Sequence, residues 1–362
     1  MTSRSKPTLQ TVADAVGVSR TTVSNAYNRP GQLTDVLRKR ILFTAEELGY
    51  PGPDPAARKL RTGTTATVGV VFTESLSEAF RDATSVALLR GVAAASENTE
   101  VSLLLLPVGR AGDDAANAIR NASVDGFIVY SVPENCPAID AVVSRRLPII
   151  TVDEPRLPLQ TAGHIGIDDE EGAYEIAAHL LALGHRRLTV LVGRIGHDHP
   201  AGWVNLAGQA VAESRVIRDR IAGYRRAVET AKMDWSHVGV YTSGANNPQA
   251  ARQSAAAVLS LDTVPTAILA ASDQLALAVL NEAAYRGIAV PDALSVAGFD
   301  DVPRASVANP ALTTVRQPLV EKGKLALRML RDEAMGDIRL PTEVVTRAST
   351  GAAMDTEKET EQ

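Results

Sequence analysis

The chain has 362 residues, of which 45% are hydrophobic and 22% are charged, proportions that are ordinary for a globular protein and exclude a largely disordered one. Its length suits two or three domains. The net charge of −5 is uneven, because residues 1–62 hold ten Lys and Arg against five Asp and Glu, or +5, so the remainder carries −10. A basic N-terminal part on an acidic body fits nucleic-acid contact at one end only.

Three further properties indicate the cellular setting. The single cysteine, Cys136, excludes an intramolecular disulfide and suits a reducing compartment. The N-terminus lacks the apolar core of a secretory signal, and the leucine run at 103–106 is too short to span a bilayer. We therefore expect a soluble cytoplasmic protein with no membrane contact, and no motif predicts a metal or a cofactor.

Residues 8–28, TLQTVADAVGVSRTTVSNAYN, predict two short helices joined by a tight turn. Thr8 suits the N-cap of the first helix and Ser19 that of the second, while Gly17 falls where the chain needs a positive φ. The second helix directs polar side chains outward: Arg20, Thr21, Thr22, Ser24 and Asn25. Such side chains suit base edges and phosphates, which indicates a DNA-binding helix-turn-helix. An ordinary helical hairpin with a solvated polar face is the alternative.

A third helix is predicted from Thr34 to about Leu48, with Gly49 as its stop signal. Its apolar stripe is expected to comprise Val36, Leu37, Ile41, Ala45 and Leu48. Three helices within fifty residues make a small domain with a small core. We therefore predict a DNA-binding domain at 1–50.

The segment 51–65 is predicted to link this domain to the rest of the chain. Pro51 and Pro53 cannot lie inside a helix, whereas Asp54 can cap a short helix over 56–60. A helix of this length is unstable by itself in water. Composition alone therefore favours a flexible tether.

From Thr67 onward, short apolar runs alternate with amphipathic segments, which predicts an α/β fold with parallel, doubly wound sheets covered on both faces. About 280 residues exceed one such sheet, so we expect a body at 66–350 made of two lobes with a cleft between them, and a disordered tail at 351–362. The predicted strands are 67–72, 101–106, 124–130, 148–152, 188–193, 238–241, 266–270 and 294–298.

Several predicted strands end in polar residues. Asp153 follows 148–152, Ser272 and Asp273 follow 266–270, and Asp300 follows 294–298. Because ligands bind at the carboxyl ends of parallel strands, these groups predict a polar cleft for a neutral polyhydroxylated molecule. The alternative is that Ser272 and Asp273 only cap the next helix.

Motifs in a fixed order resemble those of the lactose-repressor/galactose-repressor (LacI/GalR) family of bacterial transcription regulators. The most specific is the stretch at 8–28, followed by LGY at 48–50. The others are AARKLRTGTTATVGVV at 56–71, GAYEIAAHLLALGHRRLTVL at 172–191, RIAGYRRAV at 220–228, ASDQLALAVLNEAAYRGIAVPDALSVAGFDD at 271–301 and NPALTTVRQP at 309–318. The resemblance spans nearly the whole chain and implies a helix-turn-helix head, a hinge helix and a body similar to periplasmic sugar-binding proteins.

This resemblance implies specific contacts with operator DNA. Arg20 and Thr21 would read bases, whereas Thr22, Ser24, Asn25 and Asn28 would mostly hold phosphates. Leu60 would pair with its twin in a dimer and enter the minor groove, with Ala57 and Arg61 lining the same groove. The helix caps Thr8 and Ser19 complete the predicted DNA-binding set. The resemblance thus replaces the tether by a hinge helix over 54–62 that forms on DNA.

The resemblance also places effector contacts on Asp153, Arg220, Ser272 and Asp300. Arginine and aspartate together bind vicinal hydroxyls, which favours a sugar or sugar derivative, with a nucleoside or purine second. Apolar contacts to the ligand are expected from Phe72, Phe80 and Phe299, and from Trp203 in a long segment, 194–218, over the cleft mouth. Lobe 1 would comprise about 66–163 and 318–345, and lobe 2 about 164–316.

The implied function is a ligand-controlled regulator, in which effector binding changes the angle between the lobes and separates the hinge helices. The tail lacks heptad leucines, so we predict a homodimeric repressor rather than a tetramer. A solute-binding protein without a DNA role is the alternative. An enzyme is disfavoured because no nucleophile elbow, phosphate-binding loop, dinucleotide fingerprint or zinc-protease motif occurs.

Overall fold

The computed structural model describes residues 6–52, 65–97, 99–109, 112–158, 160–196, 199–261 and 264–354. The chain divides into two compact units, Met1–Thr65 and Ala66–Gln362. We call the first unit the head and the second the body. Most of the predicted hinge, with Ala57, Leu60 and Arg61, lies outside the described residues.

The head contains three α-helices, α1 (Leu9–Val16), α2 (Arg20–Asn28) and α3 (Asp35–Glu47), with a 3-10 turn at Pro30–Gln32. Thr8 and Ser19 cap α1 and α2 through their side chains, and Gly17 has a φ of 76° in the turn between them. Seven apolar side chains from all three helices form one core: Val12, Ala13, Val16, Val23, Ala26, Ile41 and Ala45. The predicted helix-turn-helix is therefore present.

The predicted apolar stripe of α3 needs a correction. Leu37, Ile41 and Ala45 face the core at a spacing of four residues, but Val36 is 81% exposed and Leu48 is also exposed. The reason is geometric, since each residue turns a helix by about 100°, and Val36 therefore lies well to one side of the stripe that Ile41 defines.

The body contains thirteen strands in its described part, in two sheets. They are β1 (Thr67–Phe72), β2 (Ser102–Pro107), β3 (Gly126–Tyr130), β4 (Ile149–Val152), β5 (Ala162–Ile167), β6 (Leu188–Val192), β7 (Gly202–Trp203), β8 (Gly239–Thr242), β9 (Ala267–Ala270), β10 (Ser295–Asp300), β11 (Thr313–Arg316), β12 (Asp337–Leu340) and β13 (Glu343–Val345). The first sheet has the order β12-β5-β4-β3-β1-β2 and the second has the order β13-β11-β10-β9-β6-β8-β7.

Helices cover both sheets. They are α4 (Leu76–Ala79), α5 (Ala83–Ser96), α6 (Gly112–Asn121), α7 (Pro137–Ser144), α8 (Asp169–Ala182), α9 (Leu206–Ala210), α10 (Arg215–Thr230), α11 (Pro248–Val258), α12 (Asp273–Tyr285), α13 (Pro303–Val307) and α14 (Leu319–Arg331). All residues of β3, β4 and β6 are buried, as expected of parallel strands covered on both faces. The predicted two-lobed α/β architecture is confirmed.

The chain passes between the lobes three times, and the first and last of these passages differ from the predicted boundaries. β5 pairs with β4 in the first sheet, so the first passage follows Ile167 rather than residue 163. β13 pairs with β11 in the second sheet, so the last passage lies between Leu340 and Glu343 rather than near 345. Backbone pairing decides these positions, and the weakly patterned strands β5, β12 and β13 gave no local signal.

The body also extends further than predicted at its C-terminal end. The Gly351 backbone amide donates to Ser295 Oγ at 3.0 Å, and the Ala353 amide donates to the Leu183 carbonyl at 2.8 Å. Residues 351–354 are therefore attached to the second lobe instead of beginning a disordered tail. Residues 355–362 lie outside the described part of the chain.

Candidate functional site

A cavity of about 920 Å³ lies between the carboxyl ends of the two sheets. Its walls come from loops that follow β1, β3 and β4 in the first lobe and β6, β9 and β10 in the second. Five of the predicted effector residues line it together: Phe72, Asp153, Arg220, Ser272 and Asp300. Residues up to 228 positions apart in sequence thus meet at one site, as the strand-end rule predicts.

Arg220 is the central cation of the cavity floor. It lies on the second turn of α10, is buried, and donates from Nε to Asp169 Oδ1 at 2.9 Å and from Nη1 to the Ala271 carbonyl at 2.5 Å. Its Nη1 is also 3.7 Å from Asp300 Oδ1, and the guanidinium lies 3.7 Å above the Phe299 ring centroid. Burial by itself would lower the pKa of Arg220. The neighbouring Asp169 and Asp300 carboxylates outweigh this effect, so the pKa lies above its ordinary value. The guanidinium is therefore a fixed, charged donor.

Asp300 closes the second-lobe side of the floor. Its backbone has a φ of 123°, and its Oδ1 accepts from Gln317 Nε2 at 2.6 Å. Burial raises the pKa of Asp300 to about 7, although the Arg220 guanidinium and the Gln317 amide act in the opposite direction. This carboxyl can consequently exist with or without a proton near neutral pH.

Asp153 occupies the corresponding place in the first lobe. It follows β4 with a φ of 65°, and its Oδ1 accepts from Lys322 Nζ at 2.5 Å. Lys322 lies on α14 and is fully buried. An acidic side chain from each lobe therefore faces the same cavity, and each one has a defined hydrogen-bond donor behind it.

Ser272 serves α12 as well as the cavity. Its side chain accepts from the Leu275 amide at 3.4 Å, which makes it the N-cap of that helix. Asp273 is fully buried and binds the Val302 amide at 2.8 Å and Thr314 Oγ1 at 2.5 Å, so its role is structural. Capping, the alternative interpretation of this pair, is therefore correct for Ser272, which also lines the cavity.

Three predicted aromatic contacts need correction, because these rings do not line the cavity. Phe299 is completely buried beneath Arg220, where it supports the guanidinium. Phe80 is 57% exposed at the end of α4. Trp203 lies in β7, at the edge of the second sheet, and packs edge-on against Tyr241 with ring centroids 5.1 Å apart. Strand pairing holds this ring on the sheet edge and keeps it away from the cleft.

The long segment 194–218 reaches the cleft only with its two ends. Arg194, Ile195 and Gly196 line the cavity at one end, and Glu213 and Ser214 line it at the other. The middle forms β7 and α9 instead of a cover over the mouth. The aromatic wall comes from Phe72 and Tyr130, whose rings contact each other edge to face.

Several residues outside the predicted effector set join the two lobes. Glu154 is buried and accepts from Ser214 Oγ at 2.9 Å and from the Arg215 amide at 2.7 Å, so a first-lobe carboxyl caps α10. Arg194 is 3.3 Å from Glu74 across the cavity. Gln317 completes the floor, and Lys322 holds it from behind the cavity wall. Glu154 could have been found from its position beside Asp153, and Arg194 from its position directly after the predicted strand 188–193, whereas Gln317 and Lys322 follow no predicted strand.

The head presents a separate polar surface. Arg20 and Thr21 are exposed in the first turn of α2, where they make no hydrogen bond with another described side chain. Ser19 accepts from the Thr22 amide at 3.1 Å, and Asn28 Nδ2 donates to the Ser24 carbonyl at 2.9 Å. Asn25 Nδ2 donates to Gln32 Oε1 at 3.1 Å. Local hydrogen bonds therefore fix the side chains that are predicted to contact phosphates. The side chains of the two predicted base-reading residues make no hydrogen bond to other described side chains.

A helix-turn-helix head joined to a two-lobed body with an interlobe cavity defines the class of ligand-responsive transcriptional regulators. Comparisons identify the family. Residues 8–52 match the model of bacterial regulatory proteins of the lacI family, and residues 177–350 match the periplasmic binding protein-like domain. The chain is 40% identical to an HTH-type transcriptional regulator of Mycobacterium tuberculosis over 91% of each protein, and 38% identical to the regulator IpsA of Corynebacterium glutamicum over 87% of this chain and 88% of that protein. The chain belongs to the lacI family.

Solved structures give the same result. A LacI-family regulator from Corynebacterium glutamicum is 32% identical, with a TM-score of 0.72 over 97% of this chain and all of that one. The lac repressor dimer bound to operator and the anti-inducer ONPF is 25% identical, with a TM-score of 0.76 over 96% of this chain and all of that one. The protein is thus a DNA-binding transcriptional regulator with an effector-binding body, which sets aside the enzyme and solute-binding alternatives. Within the described ranges, every helix is too short or too polar to span a bilayer.

Proposed function

We propose that this protein is a homodimeric cytoplasmic repressor whose affinity for a palindromic operator is controlled by an uncharged sugar-like molecule bound between the lobes. The observation that carries the proposal is the cavity floor, where Asp153 of one lobe and Asp300 and Arg220 of the other face one space. A ligand that binds all three must prefer one arrangement of the lobes. Its binding energy can therefore shift the population of that arrangement.

The chemistry of the cavity supports a sugar. Carboxyl groups accept hydrogen bonds from hydroxyls and a guanidinium donates to them, while Phe72 and Tyr130 offer an apolar wall for the carbon face of a ring. A volume of about 920 Å³ suits a mono- or disaccharide. A solved complex of the regulator CelR with cellobiose, 25% identical to this chain with a TM-score of 0.67, supports the same ligand class.

The DNA side of the proposal rests on α2. Arg20 and Thr21 would read bases in the major groove, with Thr22, Ser24, Asn25 and Asn28 on the flanking phosphates. Thr8 and Ser19, which cap α1 and α2, would hold the N-termini of these two helices close to the sugar-phosphate backbone of the DNA. Leu60, Ala57 and Arg61 would contact the minor groove, as the family resemblance implies.

Exposed apolar residues on the body support a homodimer. Leu104 lies on β2, the edge strand of the first sheet, while Tyr285 ends α12 and Val307 ends α13, with exposures of 87% and 80%. Large apolar side chains at such exposure suit burial against a second copy. Two-fold symmetry would then present two heads to two operator half-sites.

Two measurements test the proposal. Gel-shift titration with DNA from the protein's own promoter region should give a complex that specific competitor DNA displaces. A thermal-shift screen of sugars, polyols and nucleosides should give at least one sugar or polyol that raises Tm and changes operator affinity. Stabilisation by nucleosides alone would contradict the sugar assignment, and a failure to bind promoter DNA at any salt concentration would contradict the regulatory role.

A further inference from the structure

Lys322 is the least expected charged residue of the body. It lies on the first turn of α14 with a side-chain exposure of 0%, behind the wall of the cavity rather than on it. An isolated ammonium group in such a place would be strongly destabilising. Its Nζ instead donates to Asp153 Oδ1 and to Gln317 Oε1, both at 2.5 Å. The ammonium group therefore has one carboxylate and one amide oxygen as its fixed partners.

The contacts continue from Gln317 to the second lobe. Gln317 donates from Nε2 to Asp300 Oδ1 at 2.6 Å, and that oxygen is 3.7 Å from Arg220 Nη1. Lys322 thus determines the orientation of the Gln317 amide, because Oε1 must face Nζ and Nε2 must then face Asp300. We name this chain, Asp153–Lys322–Gln317–Asp300, the floor relay. It joins the two cavity-facing carboxyl groups, which come from different lobes.

The relay uses Oδ1 of both aspartates. In the described part of the chain, no protein group donates a hydrogen bond to Oδ2 of Asp153 or of Asp300, and both residues line the cavity. These two Oδ2 atoms are the acceptors that remain for a ligand. Lys322 and Gln317 therefore select which oxygens a bound hydroxyl group can meet.

The relay also balances the charge of the floor. Lys322 pairs with Asp153, whereas Arg220 pairs with Asp169 at 2.9 Å and lies 3.7 Å from Asp300, so Lys322 is the cation that compensates Asp153. Removing the ammonium would leave Asp153 as an uncompensated buried carboxylate facing the cavity. Such a site favours a ligand that brings its own positive charge.

We propose that Lys322 is a positioning and specificity-determining residue, which presents Asp153 and Asp300 to hydroxyl groups and makes the cleft select uncharged ligands over ammonium-bearing ones. The selectivity rests on the proposed sugar-binding function of the cleft, whereas the pairing of Lys322 with Asp153 does not. The two parts can therefore be tested separately.

The pairing is tested in the full-length protein by a double-mutant cycle of Lys322→Met and Asp153→Asn. Lys322→Met should lower Tm by roughly 5–10 °C because it breaks a buried ion pair. Adding Asp153→Asn should restore at least half of that loss, since no unpaired charge then remains. Lys324→Met, on the same helix but partly exposed, is the matched control and should leave Tm nearly unchanged. Additive losses in the double variant would overturn the pairing.

Selectivity is tested with two matched pairs of probes, D-glucose with D-glucosamine and D-galactose with D-galactosamine, by calorimetric titration near neutral pH. In Lys322→Met, the affinity ratio of amino sugar to neutral sugar should rise at least tenfold over the ratio in wild type and in Lys324→Met. An unchanged ratio would overturn the specificity role. Coupling in the cycle without binding of any of the four sugars would overturn the selectivity proposed for these ligands while supporting the Lys322–Asp153 pairing, and the wider screen of sugars, polyols and nucleosides then decides the sugar-binding function itself.

Discussion

Single side chains determine what the cleft offers to a ligand, and Asp300 illustrates how burial changes the properties of a common residue. Its carboxyl group is buried between Arg220 and Gln317, and burial raises its pKa to about 7. The same residue type on the surface would be ionised at neutral pH. The protonation state of the floor is therefore a product of its surroundings.

This shift predicts a specific dependence of stability on pH. At pH values between about 4, the ordinary pKa of an aspartate, and about 7, the folded protein holds a proton on Asp300 that the unfolded chain has lost. Binding of this proton stabilises the folded state at low pH, and this contribution is lost as the pH rises towards 7. Asp300→Asn removes this contribution. Relative to the variant, the free energy of unfolding of the wild type should fall by up to about 1.4 kcal/mol per pH unit between pH 5 and 7, and should change little above pH 8.

Urea unfolding midpoints of both proteins from pH 5 to 8.5 measure this difference. Asp292→Asn changes an exposed carboxyl and should follow wild type at every pH. Parallel curves for wild type and Asp300→Asn would show that Asp300 does not exchange a proton in this range.

Arg20 offers a test at the residue scale in the head. It is exposed at the start of α2 and has no role in the head core, so Arg20→Ala should leave folding unchanged. Loss of a base-reading arginine should weaken specific operator binding by about 1–3 kcal/mol, or roughly 5- to 150-fold, and relax sequence preference at one position in each half-site. Fluorescence anisotropy with operator and scrambled duplexes measures both effects. Arg120→Ala, an exposed arginine on the body, is the matched control, and equal losses in the two variants would contradict base reading.

At the scale of elements, α10 determines where Arg220 stands. Glu154, from the other lobe, caps the N-terminus of α10. The buried face of α10 packs closely on α8. The close approach occurs at Gly223, where a Cβ atom would lie 2.1 Å from the Glu170 carbonyl oxygen. The position of the guanidinium is thus a consequence of helix packing.

Gly223→Ala is therefore expected to push α10 away from α8. The displacement should cost about 1–3 kcal/mol of stability, lower Tm by several degrees and weaken sugar binding, because Arg220 moves with its helix. Gly336→Ala is the control, since a Cβ atom there meets nothing within 4 Å. Thermal unfolding and calorimetric titration of both variants measure the effects. A Gly223→Ala protein as stable as the control would contradict the packing argument.

At the scale of the whole molecule, regulation requires that two heads and two cavities act together. The exposed Tyr285 and Val307 mark the surface of the second lobe that we expect a second copy to cover. Burial of such side chains contributes most of the affinity of a dimer interface, whereas operator binding by a single head is weak. Dimerisation and operator affinity should therefore be lost together.

The combined change Tyr285→Glu and Val307→Glu tests this coupling. It should convert the dimer to a monomer in sedimentation and reduce operator affinity at least tenfold, while a sugar still binds the cavity. Val211→Glu, which alters an equally exposed valine on the long segment, should change neither property. A double variant that remains dimeric would place the interface elsewhere on the body.

Much of this molecule could be predicted from local sequence patterns. The caps Thr8 and Ser19, the turn at Gly17 and the alternation of apolar strands with helices depend on neighbours within a few residues, and a single sequence records such neighbours directly. The strand-end rule placed Asp153, Ser272 and Asp300 at the carboxyl ends of their strands for the same reason, and these ends line one cavity between the two sheets. The motifs that follow one another in a fixed order along the chain indicated the LacI/GalR family.

Tertiary structure decided the rest, because the remaining contacts join residues that are distant in sequence. Lys322 and Asp153 are 169 positions apart, and no periodicity predicts that a lysine on an amphipathic helix is buried behind a cavity. Packing also placed Phe299 under Arg220 and left Phe80 exposed, and strand pairing moved Trp203 to a sheet edge. The sequence alone determined the fold class and the kind of regulator, since both follow from local order along the chain. Which side chains face the ligand depended on long-range packing, which only the folded chain specifies.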